Sequence, residues 1–165
     1  MLGSSKAMAW VSIFIPILIV GICSLASLRF RPNLYPGLVK PTGMSSFEMG
    51  RIPFWLGCLS TVIGLIAIGV TSYYEWLLAS TRKRNLSLYY NYTCLFFLAW
   101  FFPCFFYWNQ FILAFVLMIF SLYFFYLALF YAISSSTNAA YWTIPFAIYQ
   151  AFLIVFCLAI YNVNG

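Results

Sequence analysis

The chain has 165 residues, of which 65% are hydrophobic, 23% are aromatic and only 6% are charged. Soluble domains carry roughly a quarter of their residues as Asp, Glu, Lys and Arg, so this chain has too few charges to cover a surface in water. The composition therefore predicts an integral membrane protein. The net charge of +6 comes from eight scattered basic residues. They form no dense patch, which argues against a nucleic-acid partner.

Missing residue types exclude several kinds of active site. The sequence has no His and no Asp, and its two acids are Glu48 and Glu75. A Ser-His-Asp triad, a histidine-ligated metal site and a pair of glycosidase carboxylates therefore cannot be built. There is also no glycine-rich phosphate loop, and the five cysteines show no Cys-x-x-Cys spacing. We expect no cofactor and no metal, and the composition argues against an enzyme without settling the question.

The predicted elements, in chain order, are five hydrophobic helices. A helix needs about 20 apolar residues to cross a bilayer, and five segments reach that length: residues 7–28, 52–80, 86–108, 111–133 and 139–161. The connection 29–51 is long, polar and rich in Pro and Gly. The other loops are short and force neighbouring helices to be antiparallel. The sequence thus predicts an all-α membrane protein, a single domain folded as a five-transmembrane-helix bundle.

The orientation of this bundle does not follow from its charges. With five spans, four Lys and Arg residues fall on each side of the membrane, so the positive-inside rule gives no preference.

Helix two carries a stripe of small residues at helical spacing, formed by Gly57, Ser60, Gly64 and Ala67. Small residues let two helix backbones approach each other closely, so the stripe predicts a helix–helix contact face. One interpretation left open is that this face docks a partner, which would make the chain a structural or assembly subunit of a membrane complex.

Polar residues near the helix ends give three local predictions. Glu75 is close in sequence to the basic cluster 82–84, which predicts an ion pair at the membrane interface. Asn138 is a candidate N-cap for the last helix. Asn91-Tyr-Thr matches the glycosylation pattern, but it lies within a predicted span, and we interpret the match as accidental.

Helix three is densely aromatic, with nine rings among the thirteen residues from 96 to 108. One stripe at helical spacing on helix three holds Phe96, Trp100, Pro103 and Tyr107, and helix five offers Tyr149, Phe152 and Phe156 at compatible spacing. Two facing aromatic stripes could enclose a flat apolar ligand. The alternative is that these rings face lipid or fill the bundle.

Several short motifs follow one another in an order known from one protein family. The first loop reads Leu34-Tyr35-Pro36-Gly37-Leu38-Val39-Lys40-Pro41 and leads to Pro53-Phe54-Trp55. Later come Phe105-Phe106, Leu113-Ala114, Ile144-Pro145-Phe146 and the terminal Tyr161-Asn162-Val163-Asn164. In this order the chain resembles the translocator protein family, also called the tryptophan-rich sensory protein or peripheral-type benzodiazepine receptor family. The resemblance covers nearly the whole chain and agrees with the five-helix fold of that family.

The resemblance implies a receptor-like membrane protein with a ligand pocket inside the bundle, closed by loop 29–51 and serving transport or sensing. Family ligands include cholesterol, porphyrins such as protoporphyrin IX, and synthetic benzodiazepines. The expected partners are therefore a tetrapyrrole or sterol ligand and membrane lipid, and a homodimer is left open. Carried over by position, the ligand-binding residues are Tyr35, Lys40 and Pro41 in the lid, Pro53 and Trp55 on helix two, Trp100 and Phe101 on helix three, and Tyr149 and Leu153 on helix five.

The chain also departs from the family pattern. Gly43 stands where the family has a Trp, and Leu34 replaces another loop Trp. The family's C-terminal sterol pattern needs a final Lys or Arg, and no basic residue follows Arg84. Without His, a bound haem would lack its commonest axial ligand, so stacking on aromatic rings is the expected binding mode. The family's occurrence implies a bacterial membrane or the mitochondrial outer membrane.

Overall fold

A computed structural model describes residues 2–23, 52–106, 108 and 110–164, with side chains described for 6–23, 59–105, 108, 110–155 and 158. Within these ranges every regular element is helical, which confirms the all-α prediction. The helices are α1 (Leu2–Pro16, continued by a π-helical turn at Ile17–Gly21), α2 (Ile52–Leu77), α3 (Arg82–Phe106), α4 (Phe111–Ser135) and α5 (Thr137–Asn164).

The polar residues at two helix starts act as caps and move the boundaries from their predicted positions. Helix α3 begins at Arg82 rather than residue 86, because the Thr81 hydroxyl accepts a hydrogen bond from the backbone N–H of Arg84 at 3.3 Å. Helix α5 begins at Thr137, because the Ser136 hydroxyl accepts one from the N–H of Ala139, also at 3.3 Å. The N-cap of α5 is therefore Ser136, and the prediction of Asn138 is wrong.

The helices are not arranged around the bundle in chain order. Helix α3 packs most extensively on α4, and α2 packs on both α1 and α5, whereas the consecutive helices α2 and α3 meet only slightly. Helix α5 in turn packs on α4, and the π-helical turn after α1 reaches α3. The order around the bundle is therefore α1, α2, α5, α4, α3, which brings α3 and α5 onto opposite sides of α4.

The contact between α1 and α2 depends on a glycine. A Cβ atom built on Gly69 would lie 2.5 Å from the carbonyl oxygen of Ile13, so only a residue without a side chain allows this backbone approach. Pro16, one turn later in α1, has no N–H to donate to the carbonyl four residues earlier. The chain continues from it as a π-helical turn, in which Val20 is fully buried.

Helix α4 has a buried face of mostly small residues and an exposed face of large apolar residues. Its buried residues follow a helical period and are mostly small: Ala114, Met118, Ser121, Phe125, Ala128 and Ala132. Its opposite face exposes large apolar side chains, including Ile112 at 66% and Ile133 at 62%. Exposed apolar surface of this extent is unfavourable in water and suits a lipid environment.

Two of the helices are long and apolar enough to cross a membrane, at Arg82–Phe105 and Phe111–Ser135. A third apolar stretch, Lys6–Gly21, is shorter. Among the described residues the structure thus supports two of the five predicted spans, and the five-span arrangement stays a prediction.

Candidate functional site

Three helices bring aromatic side chains into one buried cluster in the bundle interior. Phe101 and Phe105 of α3 are almost fully buried, with ring centroids 5.5 Å apart. Phe125 of α4 meets Phe146 of α5 edge to face at 5.2 Å, and Phe146 lies 6.1 Å from Tyr149. The edge-to-face geometry of Phe125 and Phe146 is favourable for an aromatic pair, and the other two pairs are tilted. The cluster therefore offers ring faces and edges inside the bundle. The stripe predicted on helix three does not contribute to it, because Phe96 and Trp100 are 57% and 46% exposed, which agrees with the alternative that these rings face lipid.

Tyr149 is held in this cluster from the side of α2. Its ring packs on Gly64, where an added Cβ would lie 3.0 Å from the ring atoms, and its hydroxyl accepts a hydrogen bond from Thr61 at 3.2 Å. Leu153, one turn further along α5, belongs to the same buried core. The small-residue stripe thus serves a contact within the chain at Gly64, as predicted for a helix–helix face. A partner helix could reach that position only by displacing α5.

Trp100 lies apart from the other predicted ligand-binding residues of α3 and α5. Its side chain is 46% exposed and stacks on Trp108, with ring centroids 6.3 Å apart and planes at 16°. Neighbouring residues of a helix point about 100° apart, so Trp100 faces outward where Phe101 faces inward. The structure therefore places Phe101, Tyr149 and Leu153 in one buried core and leaves Trp100 on the outer surface.

The remaining predicted site residues lie outside what the structure describes in detail. Tyr35, Lys40 and Pro41 fall in the segment 24–51, outside the described residues. Pro53 and Trp55 lie in the first turn of α2, where the backbone is helical and the side chains are outside the described set.

A buried polar group next to the aromatic cluster was not predicted from the sequence. The amide nitrogen of Gln150 on α5 donates to the hydroxyl of Ser121 on α4 at 2.8 Å and to the sulfur of Cys94 on α3 at 3.3 Å. Ser121 also donates to the backbone carbonyl of Cys94 at 3.1 Å. These bonds fix the register of three helices at one level. The signal that could have identified them is a lone amide in an apolar span, which needs a partner in the same bundle.

A second set of buried polar side chains surrounds Glu75, the acid of α2. The Glu75 carboxylate accepts a hydrogen bond at Oε1 from the Ser87 hydroxyl of α3, and one turn away Asn91 of α3 donates to the Ser72 hydroxyl of α2 at 2.9 Å. We call Ser72, Glu75, Ser87 and Asn91 the Glu75 cluster. All four are almost completely buried.

In place of the ion pair predicted between Glu75 and the basic residues 82–84, Glu75 and Arg84 each form hydrogen bonds with other groups. The Arg84 guanidinium donates to the carbonyl of Leu78 at 2.9 Å and to the Asn85 side-chain oxygen, and it lies over the Trp76 ring. Its charge acts on Glu75 through space, while the bonded partner of the carboxylate is Ser87. The reason is that Glu75 points into the α2–α3 interface, whereas the Arg84 side chain folds back over the loop between them.

No protein-family model matches this chain, and no curated protein matches it.

Proposed function

We propose that the chain is a multi-pass membrane protein with five spans that binds a flat apolar ligand, a tetrapyrrole or a sterol, inside its helix bundle. The observation that carries this proposal is the buried core that includes Phe101 of α3 together with Tyr149 and Leu153 of α5. These are the positions at which the resemblance to the translocator protein family implies pocket-facing side chains.

The lengths of α2 and α5 support two further spans besides α3 and α4. At 1.5 Å per residue, the 26 residues of α2 and the 28 residues of α5 reach about 39 Å and 42 Å, more than the roughly 30 Å of a hydrocarbon core. The sequence of α2 holds a single charged residue, Glu75, and that of α5 holds none. Because Glu75 is buried against α3, its charge does not face lipid.

The chemistry of the interior favours a flat apolar ligand. Aromatic rings supply large contact areas and stacking faces at little entropic cost, and the cluster is rimmed by hydroxyl and amide groups at Thr61, Ser121 and Gln150. A porphyrin or sterol would replace ring–ring contacts by ring–ligand contacts of similar energy. Lys40 of the first loop would supply a positive charge for porphyrin carboxylates near the membrane surface.

Titration with protoporphyrin IX, followed by quenching of tryptophan fluorescence, tests the proposal on the detergent-solubilised protein. We expect saturable quenching at micromolar ligand, and about tenfold weaker binding for Lys40→Ala, because one charge-assisted hydrogen bond contributes about 1.5 kcal/mol. Phe101→Leu should weaken binding further by removing a ring face.

A matched control lies on the same helix. Phe96 is 57% exposed, so Phe96→Leu makes the same chemical change on the outer surface and should leave the affinity unchanged. Thermal unfolding of both variants separates a loss of affinity from a loss of fold. Unsaturable quenching shared by all variants would mean that the porphyrin only partitions into detergent, and the proposal would be wrong.

A further inference from the structure

Glu75 is an acidic residue buried inside the helix bundle with only part of its carboxylate hydrogen-bonded. Its side chain is completely buried, and its Oε1 atom accepts a hydrogen bond from Ser87. The other carboxylate oxygen, Oε2, has no hydrogen-bond partner among the described residues, and the same holds for the amide oxygen of Asn91, which is 1% exposed. Buried oxygens without a partner are costly, above all on an ionised group. The described residues hold three such oxygens, of which the third is Oε1 of Gln150. The two on Glu75 and Asn91 need a positively polarised partner between α2 and α3.

Both acceptors belong to one small region of the α2–α3 interface. Ser72 and Glu75 lie one turn apart on α2, and Ser87 and Asn91 lie one turn apart on α3. The hydrogen bonds Asn91–Ser72 and Ser87–Glu75 connect the two antiparallel helices at adjacent turns. One unpaired oxygen thus belongs to the acid of the Ser87–Glu75 pair, and the other belongs to the amide of the Asn91–Ser72 pair.

Three donors around this region already have acceptors. The Asn91 amide nitrogen donates to Ser72, and the Ser72 hydroxyl donates to the backbone carbonyl of Ile68 at 3.2 Å. The Trp76 indole donates to the Tyr92 hydroxyl at 3.3 Å. None of these three hydrogen bonds reaches either of the two acceptors, and the side chains next to them contribute the hydroxyl oxygens of Ser72 and Ser87.

We propose that the Glu75 cluster binds a monovalent metal cation, Na⁺, through Glu75 Oε2 and the Asn91 side-chain oxygen, with the serine hydroxyls as additional ligands. Carboxylate, amide and hydroxyl oxygens are ligands of hard cations. One carboxylate matches one positive charge, so the occupied site is neutral, which a low-dielectric interior strongly favours. Divalent ions would leave an uncompensated charge there.

Arg84 is the other charged group that acts on this region. Its guanidinium is hydrogen-bonded to Leu78 and Asn85, so it does not occupy the proposed site. Its positive charge nevertheless opposes the binding of Na⁺ there. We therefore expect millimolar affinity for Na⁺. Removing that charge in Arg84→Gln should tighten Na⁺ binding several-fold.

The test uses the detergent-solubilised full chain with Na⁺ alone as the probe. Binding of radioactive ²²Na⁺ and the thermal unfolding midpoint are measured in NaCl and in N-methyl-D-glucamine chloride at equal ionic strength. A ligand that binds only the folded state stabilises it by mass action, so we expect saturable ²²Na⁺ binding and a midpoint about 3 °C higher in saturating Na⁺. No saturable binding and equal midpoints in the two salts would overturn the proposal.

Substitutions test whether Na⁺ binding and the stabilisation by Na⁺ arise at the Glu75 cluster. Glu75→Gln should abolish both Na⁺ signals, whereas Glu48→Gln, the same change at the only other acid of the chain, should keep them. If Glu75→Gln fails to fold, Asn91→Leu provides the second test, because it removes the amide oxygen and keeps the acid. Na⁺ binding that survives unchanged in Asn91→Leu would overturn the proposed site, because Asn91 would not be a ligand. Stabilisation that depends on pH alike in both salts would show that the cluster holds a proton and no metal cation.

Discussion

Replacing Gly69 by alanine gives the most direct test of how α1 and α2 are packed. The added Cβ atom would lie 2.5 Å from the backbone oxygen of Ile13, and 3.0 Å and 3.1 Å from its Cα and carbonyl carbon. Ordinary contacts of a Cβ atom begin at 3.4 Å. All three obstructing atoms are backbone, so no side-chain rotation relieves the overlap. The two helices must move apart by about 1 Å, which opens the close-packed contacts on either side.

The size of the effect follows from two opposing contributions. Overpacking of this kind costs about 1–3 kcal/mol, while alanine is favoured over glycine within a helix by about 1 kcal/mol. We expect Gly69→Ala to lower the free energy of unfolding by up to about 2 kcal/mol. For a chain of this size that corresponds to a thermal midpoint up to about 6 °C lower.

Two other glycines supply matched comparisons for the same substitution. At Gly21 the nearest atom to an added Cβ is a side-chain carbon of Ile17 at 3.8 Å, an ordinary contact, so Gly21→Ala should be neutral or slightly stabilising. At Gly64 the Cβ would meet the Tyr149 ring at 3.0 Å, and a small shift of that side chain places Gly64→Ala between the other two. Thermal unfolding of the detergent-solubilised variants gives the ranking. If Gly69→Ala is as stable as Gly21→Ala, the close approach of α1 and α2 is refuted.

Three further substitutions test single hydrogen bonds by the same unfolding measurement. Ser136→Ala should destabilise the protein by about 1 kcal/mol because it removes the N-cap of α5, whereas Asn138→Ala should have little effect, and the reverse ranking would contradict the observed helix start. Ser87→Ala leaves the buried carboxylate without its donor and should cost about 1–3 kcal/mol, while Ser134→Ala, which removes an exposed hydroxyl, should change stability by less than about 0.5 kcal/mol. Tyr149→Phe removes one hydroxyl that accepts a hydrogen bond and should cost about 1 kcal/mol; a neutral result would show that this bond contributes nothing to the fold.

The sequence predicted helices more successfully than it predicted their faces. In a soluble helix an apolar stripe marks the inner side, but here the helices are apolar on nearly every side. Phe101 and Trp100 are both aromatic neighbours on α3, yet one is fully buried and the other is 46% exposed. Hydrophobicity cannot distinguish them, because lipid and protein interior reward the same side chains. Size is more informative, and the small residues Gly64 and Ala67 did indicate a contact face correctly.

Polar residues near helix ends were misjudged for a different reason. Sequence distance suggested that Glu75 would pair with the nearby basic residues, whereas its bonded partner is the Ser87 hydroxyl of the next helix. Likewise, Ser136 and Asn138 are both good capping residues, and only the backbone geometry shows which one is at the N-cap position.

The order of residues along the chain was enough to predict the all-α class and the helical segments, because both follow from long runs of apolar residues. The absence of His was enough to exclude histidine-dependent catalysis. The tertiary structure alone decided the order α1, α2, α5, α4, α3 around the bundle and the meeting of Gln150 with Cys94 and Ser121. These contacts join residues 29 to 56 positions apart. They depend on the shapes of helix surfaces, through close approaches such as that at Gly69, which one-dimensional patterns of hydrophobicity do not record.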